Sequence, residues 1–459
     1  MMNILDPRAE HVATRGSLRA MIGAGLAALL ALAACGDDNK TTSDASDTGS
    51  GDTTSVDAVD TTEPDTTVTD TADIAEDTAD MAEDAADVAE DTDVAGDTST
   101  SDTDVLEPLV EFAIMAKGTP VDITPDGGAA IFWDNTSQQG DTYVYDVSAR
   151  TFTLETTTGP TFRDFPTAVS ANLEITANYG LPVSAGLWTQ SKEWRRLGSL
   201  FAEGCGIDPD DQTAGDIGAA WDISADGSIV VGLIWDGCTA KAFRWSEVDG
   251  ARDFRTLEEV GSVREDTTRG PNSRATVISD DGAVAGGWVE TSMVDRWPTL
   301  WDTTTGAGTR LSSTDFTEDS PGEILAISPD GKAACGVWNQ NGFVWTEAGG
   351  VVPTGALEGV LPSEPTFANA IVGDGDLVFG ASGGGFFGVQ QAFVWSPTRG
   401  MRRLVDIANA AGAEIPETLT LSNVLGASND GTVLIGTLLD DAFAERSFVL
   451  KLPLSAYTN

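Results

Sequence analysis

Histidine is nearly missing from this chain of 459 residues, which contains one, His11. That residue lies in an N-terminal segment read below as removed, so the mature chain would have none. Without histidine there is no Ser-His-Asp or Cys-His nucleophile system, no HExxH zinc site and no His-ligated cofactor. Basic charge is also scarce: 25 Lys and Arg stand against 73 Asp and Glu, a formal charge of −48. A surface so acidic argues against nucleic acid, whose phosphates are bound by Lys and Arg. Tyrosine occurs four times, at Tyr143, Tyr145, Tyr179 and Tyr457, and cysteine four times, at Cys35, Cys205, Cys238 and Cys335. No apolar run is long enough to span a bilayer, which takes about 20 residues. Any catalysis would therefore rest on carboxylates, Lys, Tyr, Ser or an oxygen-ligated metal.

The 14-residue apolar run from Met21 to Ala34 has the length of a signal-peptide core and follows Arg8, Arg15 and Arg19. It ends in Leu32-Ala33-Ala34-Cys35-Gly36, which resembles the lipobox of bacterial lipoproteins. The resemblance implies removal of residues 1–34, a diacylglycerol thioether on Cys35 and acylation of the new amino terminus. It also implies export and anchoring in the outer membrane, facing the periplasm or the cell surface. The plainer alternative is an ordinary secretory signal beside a chance cysteine. More than one acyl chain gives stable anchoring, at about 0.8 kcal/mol per buried CH₂.

Residues 35–107 read as a lipid-anchored tether. From Gly36 to Glu107 there are 24 acids, one Lys (Lys40), and no aromatic residue. Such a segment buries too little apolar surface to offset its ordering entropy, so disorder is expected. The stretches "TADIAED", "TADMAED" and "AADVAED" repeat at 71–91, with alanines spaced in threes and fours as on a helix. Three acids per heptad and no basic partner would repel along that helix. A self-repelling coil that spaces the following domain from the membrane is the better reading.

Residues 108–459 repeat one motif seven times. "DITPDGGAAIF", "AVSANLEITA", "DISADGSIVVG", "VISDDGAVAGG", "AISPDGKAACG", "AIVGDGDLVFG" and "GASNDGTVLIG" follow one another, and a Trp-bearing strand such as "FRWS", "TLWD", "FVWT" or "FVWS" trails most of them. Asp-Gly between apolar runs predicts a hairpin with a two-residue turn at positive φ. Four strands in roughly 50 residues, repeated in tandem, predict an all-β, seven-bladed β-propeller of four-stranded blades. The pattern A-I-S-x-D-G … G … A-F-x-W resembles the HAF family of bacterial extracellular repeats. The second repeat departs by having Asn172-Leu173 at the turn, and the seventh by having Leu450 in place of Trp. The seventh repeat supplies three strands, while an orphan strand, 109–116, precedes the first. Pairing that strand beside Phe448 would close the ring and leave no free edge.

Function is expected where the repeats differ, because a residue present once per blade reads as architecture. Trp188, Trp245, Trp301, Trp345 and Trp395 read as packing between blades, and Asp126, Asp226, Asp281, Asp330, Asp374 and Asp430 as turn residues. Cys335 reads as a small buried core thiol. Cys205 and Cys238 fall in loops of one face, so an exported chain could join them by a disulfide. Asp208, Asp210 and Asp211 could ligate calcium or simply form a solvated acidic loop, since the Gly and terminal Glu of an EF-hand loop are absent. Trp235 with Asp236, Trp338 with Asn339, and Phe386 with Phe387 are candidate ligand contacts or local packing residues. No other cofactor is expected. These features point to a monomeric, non-enzymatic propeller that presents one loop face to a protein or glycan. The rival is a carboxylate-based glycoside hydrolase or lyase, which needs two acids about 5 Å or 6.5–9.5 Å apart. The turns do not match the sialidase Asp-box, which weighs against that rival.

Overall fold

Seven four-stranded antiparallel sheets, the blades of a β-propeller, hold the 28 strands of the described residues, numbered β1–β28 in chain order. The computed structural model describes residues 110–458 apart from 116–117, 135–140, 156–163, 180–183, 190–193, 198–217, 237–238, 249–250, 259–271, 291–295, 318–319 and 386–387. The export signal, Cys35 and the acidic tether therefore lie outside the described residues. The first strand of each blade touches the first strands of its two neighbours around a closed circuit. These strands are β2 (Thr119–Ile123), β6 (Asp164–Val169), β10 (Gly218–Ile223), β14 (Ser273–Ile278), β18 (Gly322–Ile327), β22 (Thr366–Val372) and β26 (Thr420–Ala427). Their side chains are largely buried on both faces, and they lack the strict polar-apolar alternation of a half-exposed strand.

The ring closes as the repeat arithmetic requires. Strand β1 (Glu111–Met115) lies antiparallel beside β28 (Glu445–Lys451), with Phe112 opposite Leu450 and Ile114 opposite Phe448. The seventh blade is thus built from both ends of the propeller sequence, with β1 as its outermost strand covering the edge of β28.

The turns correct one expectation. In five blades a Thr or Ser carbonyl accepts the Gly amide three residues on, as in Thr124 from Gly127 and Ser328 from Gly331. Only the Gly has positive φ, +72° at Gly127 and Gly331, while the preceding Asp does not. The Asp-Gly pair is therefore not a two-residue turn. Asp occupies the third place of a type I turn, and the left-handed Gly follows it. The Asp carboxylate ties this loop together: Asp330 Oδ1 accepts from Ser328 Oγ at 2.9 Å and from the Lys332 amide at 3.1 Å. Asp126, Asp226, Asp281 and Asp430 repeat the arrangement with their own Thr or Ser. The second blade keeps the same loop without glycine, because Leu173 itself adopts φ +64°. The blade count is seven despite that departure.

A second glycine has a separate cause. In every blade the pairing of the first two strands slips by one residue at a β-bulge, and in the seventh it slips a second time between Leu421 and Asn423. The bulge pushes a carbonyl oxygen of the inner strand towards its neighbour. At Gly232, Gly287, Gly336, Gly380 and Gly436 a Cβ would fall well inside contact distance of that oxygen, donated by Ala219, Arg274, Glu323, Phe367 and Asn423 respectively. In these five blades the close carbonyl leaves room for Gly alone in "VVG", "AGG", "ACG", "VFG" and "LIG", whereas the first two blades have Phe132 and Ala177 at the equivalent place beside the same slip.

Trp188, Trp245, Trp301 and Trp395 are buried, as interblade packing requires, and Leu450 fills the same place in the last blade. Trp345 is only half-buried. Cys335 is fully buried; its thiol donates towards the Ala368 carbonyl of the next blade, and burial pushes its pKa up. Two short helices, α1 (Leu404–Ala410) and α2 (Ser455–Thr458), supplement the strands and bury Leu404, Ile407, Ala408 and Tyr457 against the last two blades. No helix among the described residues is long and apolar enough to cross a membrane.

Candidate functional site

Three places concentrate polar or exposed aromatic side chains: the central channel, the seam of the third to fifth blades, and one loop of the seventh. A pocket of about 100 Å³ lies at the turn end of the channel, lined by Asp122, Asp222, Asp280, Asn369 and Asn429 among others. Its acids are engaged by neighbouring blades. Asp122 accepts the Val169 amide at 3.0 Å and Asp222 the Ile278 amide at 2.9 Å, each bond reaching into the following blade. Asp280 accepts from the side chain of Asn429 across the ring. Burial, reinforced by Asp122 and Asp281, holds the Asp280 carboxyl above the ordinary aspartate range. Backbone bonds between successive turns stitch the same rim, among them Ala171 to Ala225 and Ala225 to Asp280.

Near the opposite end, tryptophan and arginine alternate. Arg274, 1% exposed, lies 4.1 Å from the centre of Trp221 and 5.5 Å from that of Trp288, and Arg296 covers Trp288 at 4.3 Å. Glu323 pairs with both guanidiniums, with Arg274 closely and with Arg296 at 3.4 Å, and accepts from Thr276 at 2.7 Å. Burial pulls the Arg274 pKa down, and the Glu323 carboxylate opposes that pull. A delocalised guanidinium tolerates this setting because its faces stack while its edges donate. Trp221 and Trp288 stand outside the repeating Trp position, so the rule that function lies where repeats differ could have singled them out.

The candidates read from sequence are distributed as follows. Trp338 is fully buried, with its indole donating to the Ser320 carbonyl at 3.1 Å and its ring stacked on Phe316. Of its two readings, packing is the one its position fits, because Trp297 and Phe343 also close around it. Asn339 is exposed at φ +50°, followed by Gln340 at φ +63°. These two form the primed two-residue turn that had been expected of Asp-Gly, with Trp338 opposite Asn341. Trp235 and Asp236 end β11 (Ile229–Asp236) opposite Ala240 and Thr239, and their side chains lie outside the described residues. Cys205, Cys238, Asp208, Asp210, Asp211, Phe386 and Phe387 also lie outside them. Among the described residues no group of three or more His, Cys, Asp or Glu is arranged to hold a metal ion.

One residue escaped the sequence reading. Phe443, 74% exposed, sits in the loop between β27 (Val433–Leu439) and β28, the same kind of connection as Asn339-Gln340. Its φ is +59°, a left-handed conformation that a bulky residue adopts at a cost. The loop is nonetheless fixed. Asp440 Oδ1 accepts the Ala442 and Ala444 amides at 3.0 and 2.9 Å, Oδ2 accepts from Arg446 at 3.2 Å, and the Asp440 carbonyl accepts the Phe443 amide at 2.9 Å. These bonds hold the Asp440 carboxyl below its ordinary pKa, the Ala444 amide contributing most. A phenyl ring is thus displayed to solvent on a pinned, strained loop.

No protein-family model matches the chain, and no curated protein matches it. Among solved structures it is similar to oligogalacturonate lyase from Vibrio parahaemolyticus, at 13% identity and a TM-score of 0.48 over 78% of this chain and 96% of that one. A puromycin-hydrolysing peptidase from Mycobacterium tuberculosis matches at 13% identity and a TM-score of 0.48, over 74% of this chain and 52% of that one. TolB from Acinetobacter baumannii matches at 10% identity and a TM-score of 0.32, over 74% and 96%. Likenesses this slight say nothing of activity, and the propeller rests on the sheet order itself.

Proposed function

We propose that this chain is an envelope lipoprotein whose propeller binds a protein or glycan partner without chemical turnover. The observation that carries the reading is Phe443. An exposed aromatic ring contributes nothing to the core, and its left-handed backbone costs stability, so folding alone does not account for it. Aromatic rings anchor interfaces, and one carried on a fixed loop leaves little backbone entropy to be lost on binding. The loop joins a second and a third strand, the same kind of connection that carries the exposed Asn339 in the fifth blade.

The rival, a glycoside hydrolase or lyase, finds little support in the channel. Its acids hold neighbouring amides, and about 100 Å³ is small beside the roughly 300–1,000 Å³ of small-molecule sites. The lipid on Cys35 and the acidic tether would place the propeller away from the membrane.

The reading is tested by screening the full chain against a glycan array and a random-peptide display library. Retention of one ligand class without change in the ligand is the expected result. Cleavage or elimination in any retained glycan would favour the enzyme instead.

A further inference from the structure

Beside the sixth and seventh blades lies a cavity of about 570 Å³, within the size range of small-molecule sites. Strand β25 (Gly400–Arg403), helix α1 and helix α2 line it, and it is open to solvent on one side. Leu357, Met401, Ile407, Ala410, Pro453 and Ala456 give it apolar walls. Four charged residues share the lining: Glu358, Arg402, Arg403 and Asp406.

Arg402 is the unusual one. Its Nη2 donates to the Tyr457 carbonyl at the end of α2, yet its Nε–H is shut off from water and has no acceptor among the described residues. It also makes no ion pair there. In a chain with 73 acids and 25 bases, a half-buried arginine short of a carboxylate runs against composition. Burial and the nearby Arg399 pull its pKa down, as expected for a cation without a counter-charge. Arg403, by contrast, is engaged, donating to Gln391 Oε1 at 2.8 Å and to the Glu358 carbonyl at 3.1 Å. The Tyr457 carbonyl takes Nη2, and Nε, closed to water, is closed to a ligand as well, which leaves Nη1 as the donor that a ligand in the cavity can reach.

We propose that this cavity binds a small amphiphilic carboxylate, its apolar body against Met401, Ile407 and Ala410 and its carboxylate on Arg402. A planar guanidinium matches a carboxylate in charge and geometry, and the apolar walls supply the rest of the affinity. None of the residues lining the cavity belongs to the loop that carries Phe443.

Calorimetric titration of the full chain with decanoate tests the proposal, with decan-1-ol as the uncharged control. The expected result is saturable one-to-one binding of decanoate, at least about tenfold tighter than the alcohol, a difference of about 1.4 kcal/mol. Arg402→Met, which keeps the aliphatic stem, should remove that preference. Ala410→Trp, at an exposed helix position, should abolish binding by filling the cavity while leaving the melting temperature near that of the parent, and it decides the matter if the Arg402 variant does not fold. Absence of saturable binding, equal affinity for acid and alcohol, or parental affinity in Ala410→Trp would each overturn the proposal.

Discussion

Leu173 and Phe443 both hold a left-handed backbone that glycine would adopt freely, and they separate two kinds of strain. Leu173 occupies a turn place where other blades have glycine, and it is 43% exposed. Left-handed geometry costs an L-residue roughly 1–2 kcal/mol, partly offset by the entropy glycine loses on folding. Leu173→Gly is therefore expected to raise stability by up to about 1 kcal/mol, read as a higher denaturation midpoint. Gly336 is the opposite case: Gly336→Ala should cost about 3 kcal/mol or more, because the new Cβ meets the Glu323 carbonyl. Gly350→Ala, where the added atom meets open space at φ +69°, should cost nearer 1 kcal/mol. The turn acids add a pH dependence. Asp330 is held down to about 2, first by the Lys332 side chain and then by the Lys332 amide and Ser328. A carboxyl that resists protonation when folded stabilises the fold fully above its unfolded value near 4, and that contribution fades as pH falls towards 2. Asp330→Asn should lose less stability than the parent across that window in acid titrations.

At the scale of elements, the seam of the third to fifth blades depends on one buried carboxylate. Removing Glu323 takes from Arg274, buried between Trp221 and Trp288, a carboxylate with which it pairs. Glu323→Ala should cost about 3–5 kcal/mol in equilibrium unfolding. A loss below about 1 kcal/mol would mean that the other partners of the guanidinium suffice. Strand number, blade number and the closing strand were all legible in the sequence, because "SPDG" and "FVWT" recur at a period that only a four-stranded unit fits. The turn type was not, since Asp-Gly serves a primed two-residue turn and a type I turn with a trailing glycine equally well. The bulge was written in the sequence as a glycine in "ACG", but its cause is a carbonyl on another strand. The site was the least legible part. Trp338 stood out by its neighbours in "VWNQNG" and is buried, whereas Phe443 in "DDAFAER" carries no pattern that reveals its backbone or exposure.

For the whole molecule, the proposed lipid anchor, acidic tether and closed ring form a division of labour. The anchor would fix the location and the tether the distance, while the ring offers a rigid frame whose loops are free to vary. Strand β1 ties the start of the ring to its last blade, so the loops can carry a strained or exposed residue without loss of the fold. The central claim is that Phe443 is retained for binding at a cost in stability. It is tested most directly by measuring affinity and thermal stability together for the parent and Phe443→Gly, using the ligand retained in the glycan and peptide screen. The expected result is binding weakened by about 2 kcal/mol, roughly thirtyfold, in a variant that melts no lower than the parent. Unchanged affinity in the glycine variant would contradict the claim.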